Sequence, residues 1–329
     1  MSPFQAYLIE QQDGKSLAHF VQMHEDQLDP GEVTLRIAYS SINYKDALAA
    51  TGAGRIIRRF PCVGGIDMAG TVVKSADPRF KEGDEVIATS YDIGVAHHGG
   101  YAEYGRVSAD WVVPLPKGLS LFDAMALGTA GYTAALGITR MEQNGLDPSR
   151  GKVLVSGATG GVGSIAIDIL NCLGYHVVAL TGKAEQADYL KGLGAQEVLL
   201  RANLDLTKIK PLDKALWAGA VDNLGGAVLA WMASSMQTDG VIASIGMAAG
   251  MPLNTTVAPF ILRGVSLLGI DSGATPMPLR RSIWARLAGD MRPAHLAAIT
   301  RTVKLQEIPP LFYEHIHGAA HGRVVVAVA

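Results

Sequence analysis

Apolar and polar positions alternate along Glu32-Val33-Thr34-Leu35-Arg36-Ile37-Ala38-Tyr39, the two-residue period of a strand with one face in a core. The short runs Gly70-Thr71-Val72-Val73 and Glu85-Val86-Ile87-Ala88 predict further strands, and Phe80-Lys81-Glu82-Gly83-Asp84 between them carries turn chemistry, with Asp84 bonding the turn. Gly99-Gly100 predicts another turn, and Tyr101-Ala102-Glu103-Tyr104 a strand after it. Up to about residue 120 the pattern is that of a small irregular barrel.

The periodicity then changes. Ser120 to Asn144 is helical in spacing, interrupted by Gly128, Gly131 and Gly137. From Gly151 onward, strands and helices alternate. The predicted strands are Val153–Ser156, His176–Leu180, Glu197–Leu200, Gly219–Asp222 and Val241–Gly246, with helices reaching Leu173 and spanning about Ala184 to Leu193. Strands apolar on both faces and separated by helices predict a doubly wound parallel sheet covered on both sides. The fold class is therefore α/β, a β-rich domain joined to a nucleotide-binding one.

Ser156-Gly157-Ala158-Thr159-Gly160-Gly161-Val162-Gly163 follows a predicted strand and opens a predicted helix. Read as A-x-G-x-x-G, it puts Ala158 at the first small position. Gly160 then lies where the backbone approaches a pyrophosphate, and Gly163 where helix and strand pack closely. The first-turn amides supply N–H donors and partial positive charge for phosphate. The next strand ends Leu180-Thr181-Gly182-Lys183, with no carboxylate to grip a ribose 2′-hydroxyl. A hydroxyl and an ammonium favour a 2′-phosphate instead, and Arg201 after the third strand is placed to close over it. The expected cofactor is NADPH.

Length and charge narrow the classes. A chain of 329 residues is long for one core, and 49% hydrophobic with 18% charged residues argues against disorder. A net charge of −2 without a basic stripe disfavours nucleic acid and anionic membranes as partners. Cys62 and Cys172 read as free thiols of a reducing compartment. The first ten residues lack a signal-peptide pattern, and apolar stretches are broken by glycines and polar residues, so a cytoplasmic enzyme is expected.

Several segments carry a resemblance. They are Ser41-Ile42-Asn43-Tyr44-Lys45-Asp46-Ala47, Gly65-Ile66-Asp67-Met68-Ala69-Gly70 and His97-His98-Gly99-Gly100-Tyr101-Ala102-Glu103. Others are Gly128-Thr129-Ala130-Gly131-Tyr132-Thr133-Ala134, Ala258-Pro259-Phe260-Ile261-Leu262-Arg263-Gly264 and Leu268-Gly269-Ile270-Asp271-Ser272. Along nearly its whole length the chain resembles the acryloyl-CoA reductase branch (AcuI/YhdH type) of the medium-chain dehydrogenase/reductase superfamily, which is quinone oxidoreductase-like. The Asn-Tyr-Lys-Asp run and the last two segments are specific to the branch, whereas Gly-Gly-Tyr-Ala-Glu is superfamily-wide. Gly64 departs from the pattern, which has proline there.

The resemblance implies a GroES-like catalytic domain built from residues 1–122 and 271–329, with a Rossmann NADPH-binding domain at 123–270. It implies a homodimer joined through Rossmann edge strands at Val265–Gly269, and reduction of acryloyl-CoA to propionyl-CoA. Zinc dehydrogenases of the superfamily use a Gly-His-Glu run and cysteines; here Ile66 replaces that histidine, Asn43-Tyr44 offers no cysteine, and two cysteines cannot form a four-cysteine lobe. No metal is expected, and His97-His98 read as loop histidines.

Without a Lewis acid, hydride addition to a conjugated enoyl thioester is easier than alcohol oxidation, because charge spreads into an enolate met by hydrogen-bond donors. The resemblance implies that the Asn43-Tyr44-Lys45-Asp46 run lies beside the nicotinamide, and Tyr44 leads the candidates for that role, followed by Lys45; the alternative is a cleft-lining Tyr44 and a proton from water. The expected cofactor contacts are Tyr44, Thr129, Ala158, Thr159, Gly160, Gly161, Val162, Gly163, Thr181, Gly182, Lys183, Arg201, Gly246, Met247, Ile270 and Arg323. Asp67 is assigned to bonding backbone turns, with catalytic work as the alternative. Arg280 and Arg281 are placed to meet CoA phosphates or, as two arginines opening a helix, to be solvated. An NADPH-dependent quinone or enone reductase is the nearest alternative function, and a non-catalytic NADPH-binding regulator or structural protein the alternative of another class.

Overall fold

The computed structural model describes residues 2–328. The chain opens with an antiparallel hairpin of β1 (Phe4–Gln12) and β2 (Lys15–Met23), Phe4 opposite Met23. β3 (Val33–Ile42) leads directly into helix α1 (Tyr44–Thr51), and β4 (Cys62–Val63) pairs with the free edge of β1. β5 (Asp67–Ser75) runs antiparallel to β3, and β6 (Glu85–Thr89) to β5. β7 (Tyr104–Val107) covers the first half of β3's other edge, and β8 (Val112–Pro114) pairs with β6.

The alternation along β3 holds: Val33, Leu35 and Ile37 are fully buried while Arg36 is exposed. Thr34 is buried as well, its hydroxyl accepting from Arg106 Nε at 3.3 Å. The strand expected at Tyr101 begins only at Tyr104. Carbonyls of the preceding residues serve two different sheets: Tyr101 O accepts from Tyr7 N at 2.8 Å and Glu103 O from Ile37 N at 2.9 Å. No single ladder can form there.

Helix α2 (Leu121–Gln143) is broken at Gly128, whose φ of 51° and ψ of −156° are open to glycine. It is long and apolar enough to cross a membrane, but 78% of its most apolar stretch is buried inside the protein, as in a core helix. Then come β9 (Lys152–Ser156), α3 (Gly161–Cys172), β10 (His176–Thr181), α4 (Ala187–Gly192) and β11 (Glu197–Leu200). β12 (Trp217–Asp222), α5 (Gly226–Ser234), β13 (Met236–Ser244), α6 (Ala258–Arg263) and β14 (Ser266–Gly269) complete the series. The six strands are parallel in the order β11-β10-β9-β12-β13-β14. Leu154, Val178, Leu180, Ala220 and Ile242 form its core with α5 residues Val228 and Met232. Chain order reverses between β9 and β12, which makes their carboxyl ends the ligand-binding edge of such a sheet.

After α7 (Met277–Ala288) and α8 (Leu296–Ile299) come β15 (Thr300–Lys304), α9 (Ile308–Ile316) and β16 (Arg323–Ala327). β16 covers the second half of β3's edge, with Val324 opposite Ile42, and β15 runs parallel beside it. The chain forms two compact units, one of Met1–Thr129, Gly273–Ser282 and Leu296–Ala329, the other of Ala130–Ser272 and Ile283–His295. The first boundary falls later than residue 122, and Ile283–His295 returns to the second unit instead of staying with the C-terminal part. Ile283, Trp284 and Leu287 are fully buried there, and Asp168 in α3 accepts from Ala294 N (3.2 Å), His295 N (2.7 Å) and His295 Nδ1 (3.0 Å).

Candidate active site

In the second unit, the loop from β9 to α3 is shaped by its own backbone. Gly157, at φ 58°, takes the left-handed turn just ahead of Ala158, which holds the first small position of the A-x-G-x-x-G spacing. Ala158 is fully buried and its amide is spent on Leu180 O at 3.3 Å, so that N–H is not among the donors the loop can turn to a phosphate. Gly163 packs as expected: a Cβ there would lie 2.4 Å from Gly157 O and 2.8 Å from Ala158 Cα. At Gly160 a Cβ would meet only Gly157 O, at 3.3 Å, so the protein itself leaves space on that side. Gly160 caps α3 without a side-chain acceptor and no acidic residue stands in the first turn, so the start of α3, at Gly161, Val162 and Gly163, is suited to an anion. Thr159 is buried beside them.

At the end of β10, the buried Thr181 hydroxyl accepts from Lys183 N at 3.0 Å. Gly182 is exposed, and its absent Cβ would stand 3.5 Å from Nη2 of the exposed Arg201. Lys183 is half-buried next to it. Two cations thus flank the tip of the second strand, where no carboxylate occurs.

A polar cluster missed in the sequence joins β9 to β12 at the reversal point. Ser156 Oγ donates to Asp222 Oδ1 (2.8 Å) and accepts from Asn223 N (2.9 Å), while Asn223 Nδ2 donates to Ser156 O (2.7 Å). Asp222 also accepts from Leu224 N and Gly225 N, and burial raises its pKa. Gly246 lies against Asn223 O, Met247 is largely exposed, and Ile270 is buried with its amide bonded to Ser244 O at 3.0 Å.

In the first unit, β3, β5, the α1 start, the Gly128 break and β16 bring five segments to one buried polar lattice. Asp67 Oδ2 accepts from Ser41 Oγ (2.6 Å), Asn43 Nδ2 (2.8 Å) and Thr129 N (2.9 Å), and Oδ1 from Thr129 Oγ1 (2.5 Å). Asp67 therefore binds side chains more than backbone turns, and Thr129 is committed to it. Asp46 accepts from Asn43 N (2.8 Å), Asn43 Nδ2 (3.2 Å) and Ile66 N (2.9 Å). Burial first, and then the nearby Asp67 charge, push its pKa up to about 7, against the pull of these donors.

Arg323 does not offer its guanidinium to a ligand. It is 2% exposed and donates to Ala126 O (2.9 Å), Ile42 O (3.1 Å), Asn43 Oδ1 (3.1 Å) and Met125 O (3.3 Å). Its place in the lattice, 4.0 Å from Asp67, supersedes the expected cofactor contact. Arg280 is likewise neither solvated nor open to CoA: it is fully buried, bonded to Thr89 O, Thr89 Oγ1, Tyr91 OH and Gly273 O, and its guanidinium lies 4.4 Å over the Tyr91 ring. Arg281 is exposed. Tyr44 and Lys45 stand exposed at the first turn of α1, directly beyond Asn43.

The residues at these positions do not fit a zinc ion. Ile66 is buried and apolar, both Asp67 oxygens are already bonded to donors, and among the described residues no group of three His, Cys, Asp or Glu side chains is arranged for a metal. His97 Nε2 meets Arg106 O at 2.7 Å and its ring stands edge-on to Trp111, while His98 Nδ1 accepts from Val63 N at 3.0 Å.

A β-rich unit paired with a 3-2-1-4-5-6 parallel sheet, glycine-looped at its first turn, defines a two-unit dinucleotide-dependent dehydrogenase or reductase. The alcohol dehydrogenase GroES-like domain family matches residues 29–117, and the zinc-binding dehydrogenase family matches residues 161–288. The chain belongs to the family of the acrylyl-CoA reductases and their quinone oxidoreductase-like relatives. It is 46% identical to acrylyl-CoA reductase AcuI of Ruegeria pomeroyi, over 97% of each chain. It is 50% identical to the putative quinone oxidoreductase YhfP of Bacillus subtilis over 98% of each, whose structure with NAD bound superposes with a TM-score of 0.97 over 100% of both chains. The yhdH oxidoreductase from Salmonella enterica in complex with NADP is 46% identical, with a TM-score of 0.96 over 99% of this chain and 100% of that one.

Proposed function

We propose that the protein reduces the carbon–carbon double bond of a small enoyl thioester at the expense of NADPH, acryloyl-CoA to propionyl-CoA first among the candidates. One observation carries the cofactor choice: the second parallel strand ends in Thr181-Gly182-Lys183 with the Arg201 guanidinium over Gly182 and no carboxylate. An acid there would repel a 2′-phosphate, whereas two cations attract it. Gly161, Val162 and Gly163 would hold the pyrophosphate through the N-terminus of α3. The acrylyl-CoA reductase relatives support the substrate class.

When bound, NADPH supplies the hydride. The chain's part is to meet the charge that develops on the thioester oxygen and to deliver a proton. Among the described residues no group of three His, Cys, Asp or Glu side chains is arranged for a metal, so hydrogen-bond donors take this part in the reading. Tyr44, exposed at the head of α1, is the proposed donor, with Lys45 beside it. The finer assembly belongs to the same proposal: a cytoplasmic homodimer joined through β14, an edge strand of the six-stranded sheet whose outer side pairs with no other strand among the described residues.

Steady-state rates with acryloyl-CoA and a simple quinone, each with NADPH and with NADH, test this reading. The expected result is the highest kcat/KM for acryloyl-CoA with NADPH. A preference for the quinone favours the second reading, to which the YhfP relative points. Absence of turnover across the panel would leave only a non-catalytic NADPH-binding role.

A further inference from the structure

Asp46 ties the start of α1 to the strand connection beyond it through two backbone N–H groups, those of Asn43 and Ile66. We propose that Asp46 is a positioning residue for the reaction: its buried carboxylate fixes the turn that presents Tyr44 and Lys45. The inference rests on the reductase reading and adds to it a residue that touches neither substrate nor cofactor.

The geometry is specific. Asp46 is 2% exposed, and its Oδ2 accepts from the amide of Asn43, the residue that precedes Tyr44, at 2.8 Å. Its Oδ1 accepts from Ile66 N at 2.9 Å, so the carboxylate bridges α1 to the approach of β5. Asn43 is held a second time by its side chain, which donates to Asp46 and Asp67 and accepts from Arg323 Nη1. Both backbone N–H groups need an acceptor, and a carboxylate supplies one to each. An amide at position 46 would turn one of these acceptors into a donor facing a donor. The turn would then have to move, and Tyr44 and Lys45 with it.

The surrounding charges fit this role. Asp67 faces Asp46 from β5 and repels its negative charge, whereas Arg323 from β16 stabilises it. Tyr101, whose phenol is well above its ordinary pKa, also senses the Asp46 charge. α9 and β2, which pack against α1, bring Tyr313, Glu314 and His315, and Lys15 and His19; no hydrogen bond joins any of them to Asp46. The raised pKa of Asp46, about 7, means that the fully accepting form gives way to a protonated one just below neutrality.

The test begins with the wild-type enzyme, acryloyl-CoA and NADPH; no turnover there defeats the reductase reading and not this one. Given turnover, the kcat–pH profile should show an acid limb with a midpoint near 7, the value set by burial. Asp46→Asn should lower kcat at pH 8 by about 10- to 100-fold, the range that misplacing a reacting group by about an ångström costs, with the KM for NADPH changed less than about twofold. Its profile should lose the acid limb. An unchanged kcat in Asp46→Asn, or an acid limb that survives the substitution, overturns the proposal. Should the variant fail to fold, a wild-type profile flat through neutral pH overturns it equally.

Discussion

Gly128→Ala tests the lattice most directly. A Cβ at this position would stand 2.6 Å from Arg323 Nη2, 2.7 Å from Asp67 Oδ2 and 3.0 Å from Ser41 Oγ, where ordinary contact begins at 3.4 Å. The guanidinium and carboxylate must therefore part by about 0.8 Å, yet both are buried and bonded to fixed partners. Overpacking of this kind costs about 1–3 kcal/mol. The backbone, at φ 51° and ψ −156°, adds about 1–3 kcal/mol for a residue with a Cβ. The sum, about 2–6 kcal/mol, is a large part of the roughly 5–15 kcal/mol that holds a domain. At about 2–4 °C per kcal/mol, Tm should fall by about 5–20 °C. Circular dichroism melts of wild type, Gly128→Ala and Ser41→Ala provide the assay. Ser41→Ala loses one hydrogen bond without crowding and should cost only about 1 kcal/mol. A loss under 2 °C in Gly128→Ala, or one no larger than that of Ser41→Ala, would refute the reasoning.

Lys183→Ala and Arg201→Ala should each raise the KM for NADPH by about 10- to 150-fold, as expected for a lost charge-assisted contact of about 1.5–3 kcal/mol, while leaving NADH unaffected; a rise under about threefold removes that residue as the discriminator. Tyr44→Phe should slow the single-turnover reduction, and an unchanged rate eliminates Tyr44 as the acid. Cys62 is buried with its thiol pushed up to about 12, whereas Cys172 is exposed, so a thiol reagent at pH 8 should modify one cysteine per native chain and two after denaturation. Asp46 has a folded-state pKa raised from 3.8 to about 7, so the stability it contributes in acid is lost as pH rises through that window. Thermal melts should then show Asp46→Asn gaining on the wild type between pH 4 and 7, even as the reaction slows; a pH-independent difference between them would contradict the raised pKa.

The parallel-sheet half is the most legible in local pattern, because the strands from Val153 to Ser244 carry apolar runs and the stretch after Ser120 has a helical period, whereas α1, α5, α6 and α9 are not read from the sequence. The break at Gly128, the glycine loop before α3 and the cationic end of β10 are also local events. The lattice is not. Asn43 and Arg323 bond across 280 positions, and composition says nothing about which distant segment will share β3's edge. Arg280 shows the same limit: two arginines opening a helix read as solvated, and only tertiary packing reveals an aromatic ring and three oxygen-bearing partner residues around one of them. Asp46 was visible within the Asn43-Tyr44-Lys45-Asp46 run, but its partner Ile66 lies on another connection.

The clasp of Asp168 on Ala294 and His295 has a consequence for dissection of the protein. Neither unit is contiguous in the chain, so a gene fragment ending near residue 272 would strip the three donors from a carboxylate sealed inside α3. Left with only the weak Cys172 thiol donor, the anion would demand water or a proton in an apolar interior. Severing the tail would therefore damage the nucleotide-binding half first, although most of the tail's residues belong to the other.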